Sequence, residues 1–342
     1  MNKMNIELDV LRIVACFMVV VLHSSAVNFY QFGENWWATN FYDSLVRCCV
    51  PLFIMISGAI FLLRKPEVIS FYTKRIVRLL PPMLFWSMIY MLWNYNHNIE
   101  YGSVMNWLKT IVKGPVFFHL WYLYCVIGLY VFIPFLSKIY IYSTDLEKRI
   151  FIFIWFIVSS LLPTLQVVFN INPNFTLVYH LSNFSGFFGY LFLGAYLFEL
   201  NQEKDISSKW IFLNFFYYVA FCSMIMLATY WYSTKMGNPN ELFYSYLSPF
   251  VVISSAFSFN TVFSISFVFL KYSRALNLLS KLTLGIYCIH VLTLDRVQVW
   301  CGLFGGVDSP WWSIPATAAV TFVLSAIVVG ILYIFKPMRV FL

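Results

Sequence analysis

Apolar residues run in long blocks along this chain, separated by short polar connections. A helix needs about 20 consecutive apolar residues to cross a bilayer. Windows of that length predict roughly ten transmembrane helices, centred near Phe17, Ile54, Ser87, Ile127, Phe156, Leu191, Ala220, Ser255, His290 and Leu324. The expected architecture is therefore all-α and polytopic. A single integral-membrane domain covers 1–342, with no linker, low-complexity tract, internal repeat or added soluble domain in view.

The polar connections carry a directional signal. Lys and Arg concentrate in alternate loops: Arg64, Lys65, Lys74, Arg75 and Arg78; Lys138, Lys148 and Arg149; Lys204 and Lys209; then Lys271, Arg274 and Lys281. Lys3, Lys336 and Arg339 place the termini in the same set, whereas the opposite loops hold only Lys109, Lys113 and Lys235. The excess of positive charge on the cytoplasmic side of membrane proteins puts that first set, and both termini, inside. Small residues at Ser24–Val27 would suit a signal-peptidase site. Glu7, Asp9 and Arg12 at the start of the apolar run do not suit a signal peptide, so the first segment is expected to stay as a span.

Composition agrees with the pattern. The chain is 61% hydrophobic and only 11% charged, with a mean hydropathy of +0.77, against about 25% charge in soluble domains. The 37 Phe, 23 Tyr and 12 Trp fit lipid-facing helices with interfacial aromatic belts. A net charge of +8 could signal nucleic-acid binding, but the basic residues fall where orientation rules put them, and no nucleic-acid partner is expected. All 7 cysteines lie in apolar stretches without metal-ligand spacing, so neither a disulfide nor a metal site is expected.

Polar side chains inside apolar windows are the informative exceptions, because charge at mid-bilayer costs at least about 2.5 kcal/mol and normally faces a protein interior. In "RIVACFMVVVLH", Arg12 and His23 are 23 − 12 = 11 residues apart. At about 100° and 1.5 Å per residue they share one helix face, about 16 Å apart along the axis. They cannot touch, yet both can line one cavity. Asp9, one turn before Arg12, is a local ion-pair partner. His23 is the candidate general base, since a neutral imidazole offers a donor and an acceptor near neutral pH. Arg47 is expected near the outer end of the second span, where snorkelling would also account for it. "FYTKRIVRLLPPMLFW" sets Arg75 and Arg78 one turn apart as a two-armed anion clamp; anchoring to lipid headgroups explains that pair equally well in isolation. Pro81 and Pro82 are expected to break or kink the third span. "FFHLWYLY" puts His119 and Trp121 at the outer lip of the fourth span, and "LGIYCIH" puts Tyr287 and His290 on one face of the ninth, with Asp295 and Arg296 further out. His97 and His180 fall in or near outer loops, where solvent explains them.

Together these segments resemble the acyltransferase family 3 membrane proteins, which O-acylate bacterial surface glycans. The resemblance covers essentially the whole chain. It rests on "LDVLRIVACFMVVVLH", "VPLFIMISG", "KRIVRLLPP", "HLWYL" and "LGIYCIH", which occur in the family's order. In length and plan the chain looks similar to the smaller single-domain members that acetylate a sugar of the enterobacterial common antigen. Two departures, Ala59 after "SG" and Cys288 in the last motif, touch no proposed site residue. The resemblance implies a protein of the bacterial inner membrane that takes an acyl group, acetyl above all, from cytosolic acetyl-CoA or another acyl-CoA. No cofactor is permanently bound. The acceptor is a hydroxyl of a glycan or glycolipid. By the motif match, Arg75 and Arg78 hold the nucleotide phosphates, Arg12 lines the donor's entry path, and His23 is the general base or, less directly, the acyl acceptor. Arg47, His119, Trp121, Tyr287 and His290 are the candidates for the acceptor side. The rival from another class is a transporter or flippase of a glycan or lipid precursor, since intramembrane His and Arg also suit substrate paths. It would call for repeats and broken helices in matching halves, which the sequence does not display. A purely structural membrane protein is the third alternative.

Overall fold

The computed structural model describes residues 5–342 except 27, 28, 31, 98, 100, 172–175, 177, 182–185, 205 and 302–308. Lys3 and Val27, used in the orientation and cleavage arguments, lie outside the described residues, as does the side chain of Cys301. All regular structure among the described residues is helical. α1 (Ile6–Ser25) is followed by α2 (Trp36–Val46), α3 (Cys49–Phe61), α4 (Val68–Tyr95) and the short α5 (Val104–Lys113). Then come α6 (Trp121–Tyr142), α7 (Asp145–Phe156) and α8 (Leu162–Phe169), the last two joined through a wider turn at Ile157–Leu161. α9 (Phe188–Glu203), α10 (Ser208–Met236), α11 (Pro249–Ile265), α12 (Ser273–Cys301) and α13 (Pro310–Ile334) complete the chain.

Seven helical stretches among the described residues are long and apolar enough to cross a membrane, so this is a multi-pass membrane protein. One of the seven, Leu242–Val299, contains α11 and nearly all of α12. Every predicted centre falls inside a helix, but α9 and α11 are only 16 and 17 residues long. The helix ends obey local chemistry. Thr144 and Glu147 form a reciprocal capping box at the start of α7. Glu67 accepts from the backbone N–H groups of Ile69 and Ser70 at the start of α4, and α10 stops at Gly237 in a left-handed conformation (φ +77°).

Two expectations are corrected here. α4 continues through Pro81 and Pro82, so of the expected break or kink the break does not occur. The prolines deprive only the carbonyls of Val77 and Arg78 of their helical donors, a deficit that neighbouring groups make good in membrane helices. The break occurs instead in the preceding span, at Arg47 and Cys48 between α2 and α3. Its cause is Pro51, which has no N–H to give the Arg47 carbonyl four residues back. Arg47 thus sits midway along the helical stretch Trp36–Phe61, not near its end.

α1 is the hub, packing against α2, α3, α11, α12 and α13. Leu11, Ala15, Cys16 and Val20 are fully buried there, and only Phe17 of its large apolar side chains is exposed. α3 crosses α9 at glycine contacts. A Cβ on Gly58 would lie 1.9 Å from the Leu191 carbonyl oxygen, and one on Gly194 would lie 2.1 Å from that of Met55. Such backbone approach is how membrane helices gain packing where lipid offers no hydrophobic drive. Interhelical amides add polar links: Asn201 donates to Asn260 (2.8 Å), and Asn260 to Asn214 (3.0 Å), tying α9, α11 and α10 together.

Candidate active site

The polar stripe on α1 has a counterpart on α12. Ser280, Thr283, Tyr287 and His290 recur at helical spacing on one face of α12, and that face lies against the Arg12–His23 face of α1. Contacts between the two stripes rise in step. Arg12 Nη1 donates to Ser280 Oγ at 3.0 Å, Cys16 Sγ lies 3.6 Å from the Thr283 carbonyl, and the His23 ring centroid is 5.1 Å from that of His290. Chain numbers increase together on both helices, so α1 and α12 run parallel with their polar residues in register. The expected Asp9–Arg12 ion pair is present at 3.7 Å.

At the arginine end is a cavity of about 410 Å³. Arg12, Arg75 and Arg78 all line it, as do Tyr130 and Tyr287. Arg64 and Lys281 join them, although their loop positions alone explain them as orientation charges. A signal for Lys281 was available, since it directly follows Ser280 and precedes the "LGIYCIH" stripe. Arg75 lies over the ring of Phe61, 4.9 Å from its centroid, which orients the guanidinium without a carboxylate. Arg78 is exposed and Arg75 half-buried. The cavity therefore concentrates positive charge with no acidic residue in its lining, a surface complementary to an anion.

At the other end three imidazoles meet. His119 is centred 5.2 Å from His290 and 6.4 Å from His23. It lies in a tight turn at Phe118–Leu120 just before α6, at the start of that span as expected, and is 1% exposed. The turn is held inward because Tyr287 Oη donates to the His119 carbonyl, His119 Nε2 lies 3.2 Å from the Cys288 carbonyl, and Tyr90 Oη donates to that same carbonyl at 2.8 Å. His290 is fully buried, with Nδ1 2.5 Å from the Tyr287 carbonyl. A carbonyl can only accept, so Nε2 of His119 and Nδ1 of His290 carry the protons. That leaves His119 Nδ1 and His290 Nε2 as bare acceptors, both buried with no hydrogen-bond partner among the described residues. His23 is the half-buried member of the trio. Tyr287 stands between the two ends, lining the cavity and bracing the histidine cluster.

The remaining candidates lie elsewhere. Trp121 stacks on Tyr246 (5.7 Å between centroids) and is not in the imidazole cluster's ring contacts. Asp295 pairs with Arg296 at 3.7 Å, and Arg296 lies over Trp93. Arg47 is engaged by protein: Nη2 donates to Asp43 Oδ2 at 2.9 Å, Nε is 2.5 Å from Oδ1, and the guanidinium lies 4.3 Å from the Tyr244 ring centroid. Asp43 was missed by sequence reasoning, although its position one helical turn before Arg47 was a legible signal. Because both side chains are largely buried, removing one strands the other. Arg47→Ala should destabilise the protein by about 3–5 kcal/mol, and Arg47→Ala with Asp43→Ala together by less than either alone, as read by thermal unfolding of the purified protein in detergent.

The description "Acyltransferase domain" of family 3 matches residues 5–332, nearly the whole chain. No curated protein and no solved structure matches the chain. The motifs that resembled the family contribute residues to the arginine cavity and the histidine cluster, which the α1–α12 pair links. The chain belongs to acyltransferase family 3 and is a membrane acyltransferase.

Proposed function

We propose that this protein transfers an acyl group, acetyl in particular, from acyl-CoA to a hydroxyl of a cell-surface or lipid-linked glycan. The observation that supports it most is the pairing of an anion-receptive cavity with a cluster of neutral-capable bases along the α1–α12 stripe, with Tyr287 at their junction. The phosphates of CoA take Arg75, Arg78, Arg64 and Lys281, and the thioester arm passes Arg12 and Tyr287 toward His23. The acceptor oxygen attacks the thioester carbonyl while His23 takes its proton. The C–S bond breaks as the tetrahedral intermediate collapses, and the protonated His23 returns its proton to the leaving thiolate, giving the ester and free CoA. The His290 ring, centred 5.1 Å from that of His23, leaves its Nε2 as an acceptor that a turn of the His23 ring would bring within reach to orient the base.

The topology that goes with this reading has roughly ten spans, both termini in the cytoplasm and the protein in the bacterial inner membrane, so that acyl-CoA meets the arginine cavity from the cytosol. One observation favours the transporter alternative, the helix break at Arg47 and Cys48, because discontinuous helices recur in transporters; its cause in Pro51 and its filling by the Asp43–Arg47 pair need no transported substrate. Membranes containing the protein should move label from radiolabelled acetyl-CoA to an endogenous glycan or glycolipid, and mass spectrometry should find the product one acetyl group heavier. A transporter would leave the glycan mass unchanged.

A further inference from the structure

A second cavity, about 780 Å³, adjoins the first and shares Arg12, Ile60, Arg64 and Lys281 with it. The two are chemically different. Beyond the shared cationic rim the second cavity is walled by apolar side chains, Leu8, Leu63 and Phe198, and by amides, Asn5 and Asn277. Its one acid, Asp9, is occupied by Arg12 and accepts from Asn277 Nδ2 at 2.8 Å, which leaves the Asn277 amide oxygen as an acceptor. Asn5 Oδ1 is buried with no hydrogen-bond partner among the described residues. Nor does the Asn5 side chain cap α1, although it holds the N-cap position. A buried acceptor left unpaired costs about 1–3 kcal/mol, so a ligand that brings a donor there removes that cost.

The order of surfaces is thus an apolar chamber with bare acceptors, a rim of three cations, and a smaller cavity that leads past Arg75 and Arg78 to Tyr287. A neutral flat ring with an exocyclic amine, then phosphates, then a slender arm has the same order. Resting on the acyl-CoA donor proposed above, we infer that the second cavity holds the adenosine end of that donor. Asn5 Oδ1 accepts from the adenine amino group, Phe198 packs on the purine, and Arg64 and Lys281 at the shared rim take the phosphates together with Arg75 and Arg78. The chain accordingly selects a nucleotide-bearing acyl donor over an acyl-phosphopantetheine of the same arm and acyl group.

Affinities of the purified full-length protein for three probes test this: acetyl-CoA, its deaminated analogue with a 6-oxo purine, and S-acetyl-4′-phosphopantetheine. Acetyl-CoA should bind about tenfold more tightly than the 6-oxo analogue, one hydrogen bond's worth of discrimination, and Asn5→Ala should bring the two to equality. Phe198→Ala should weaken both purine donors and leave acetyl-phosphopantetheine unchanged. Equal binding of acetyl-CoA and the 6-oxo analogue by the unaltered protein would overturn the assignment, as would a preference that survives Asn5→Ala. Those outcomes leave the donor's identity standing. Binding of none of the three probes would instead remove the acyl-CoA reading, and the adenosine site with it.

Discussion

Alanine at position 23 should lower acyl transfer by about 10²–10⁴-fold, the usual contribution of a positioned general base, while acetyl-CoA binding stays within about twofold of the unaltered protein. The two effects separate because His23 lies at the imidazole end of the α1–α12 stripe, and the cations of the cavity lie at the Arg12 end. Neither neighbouring imidazole can replace it directly. His119 and His290 are each tied by one ring nitrogen to a backbone carbonyl and are all but closed to solvent, at 1% and 0% exposure. His23 is the member open enough to meet an acceptor. The measurement is initial velocity with radiolabelled acetyl-CoA at matched protein levels, paired with thermal stabilisation by acetyl-CoA. A loss of stabilisation without loss of turnover per bound donor would assign His23 to donor binding instead.

The complementary result is expected at the other end. Arg75→Ala combined with Arg78→Ala should weaken acetyl-CoA binding by about 10²–10⁴-fold, since each charge-assisted hydrogen bond contributes about 1.5–3 kcal/mol. The lower part of the range is expected because Arg78 is exposed and its interaction is screened by solvent and salt. Arg75 should carry more of the effect: it is half-buried and held over Phe61. Lysine at both positions should recover part of the affinity through charge while losing the two-pronged geometry of guanidinium. Titration of acetyl-CoA stabilisation at low and high salt checks both points. At saturating donor the double alanine variant should regain most of its turnover, which the His23 variant should not. If the pair only anchored lipid headgroups, acetyl-CoA affinity would not change.

Much of this site was legible one helix at a time. The Arg12–His23 stripe followed from helical spacing alone, and so did the Arg75–Arg78 pair. What one helix cannot disclose is its neighbour. The Ser280–His290 stripe lay in the sequence at the same period, but nothing in an apolar pattern states that α12 runs parallel to α1 and in register with it. The entry of His119 into the cluster was hidden for a related reason. It lies in a tight turn, and its inward position depends on Tyr287 and Cys288, which are distant in the chain. Arg64 and Lys281 were concealed by the rule that explained them, since a basic loop residue satisfies the orientation signal whether or not it also faces a cavity. In the fold, adjacent prolines were the louder break signal, yet α4 runs through Pro81 and Pro82 while the lone Pro51 separates α2 from α3. Near Pro51 a buried network of Asn40, Asp43, Arg47 and Tyr244 closes around the break. Proline count alone does not decide where a membrane helix opens.

On the proposed mechanism one route joins the arginine cavity to the histidine cluster, and the acyl donor occupies it. A cryo-electron microscopy structure with a non-transferable acyl-CoA analogue tests it most directly. The analogue's phosphates should lie against Arg64, Arg75, Arg78 and Lys281, its arm should pass Arg12 and Tyr287, and its acyl carbonyl should reach the ring of His23. Density for the analogue at any other surface, or an acyl group that stops on the arginine side of Tyr287 with His23 out of reach, would contradict the account.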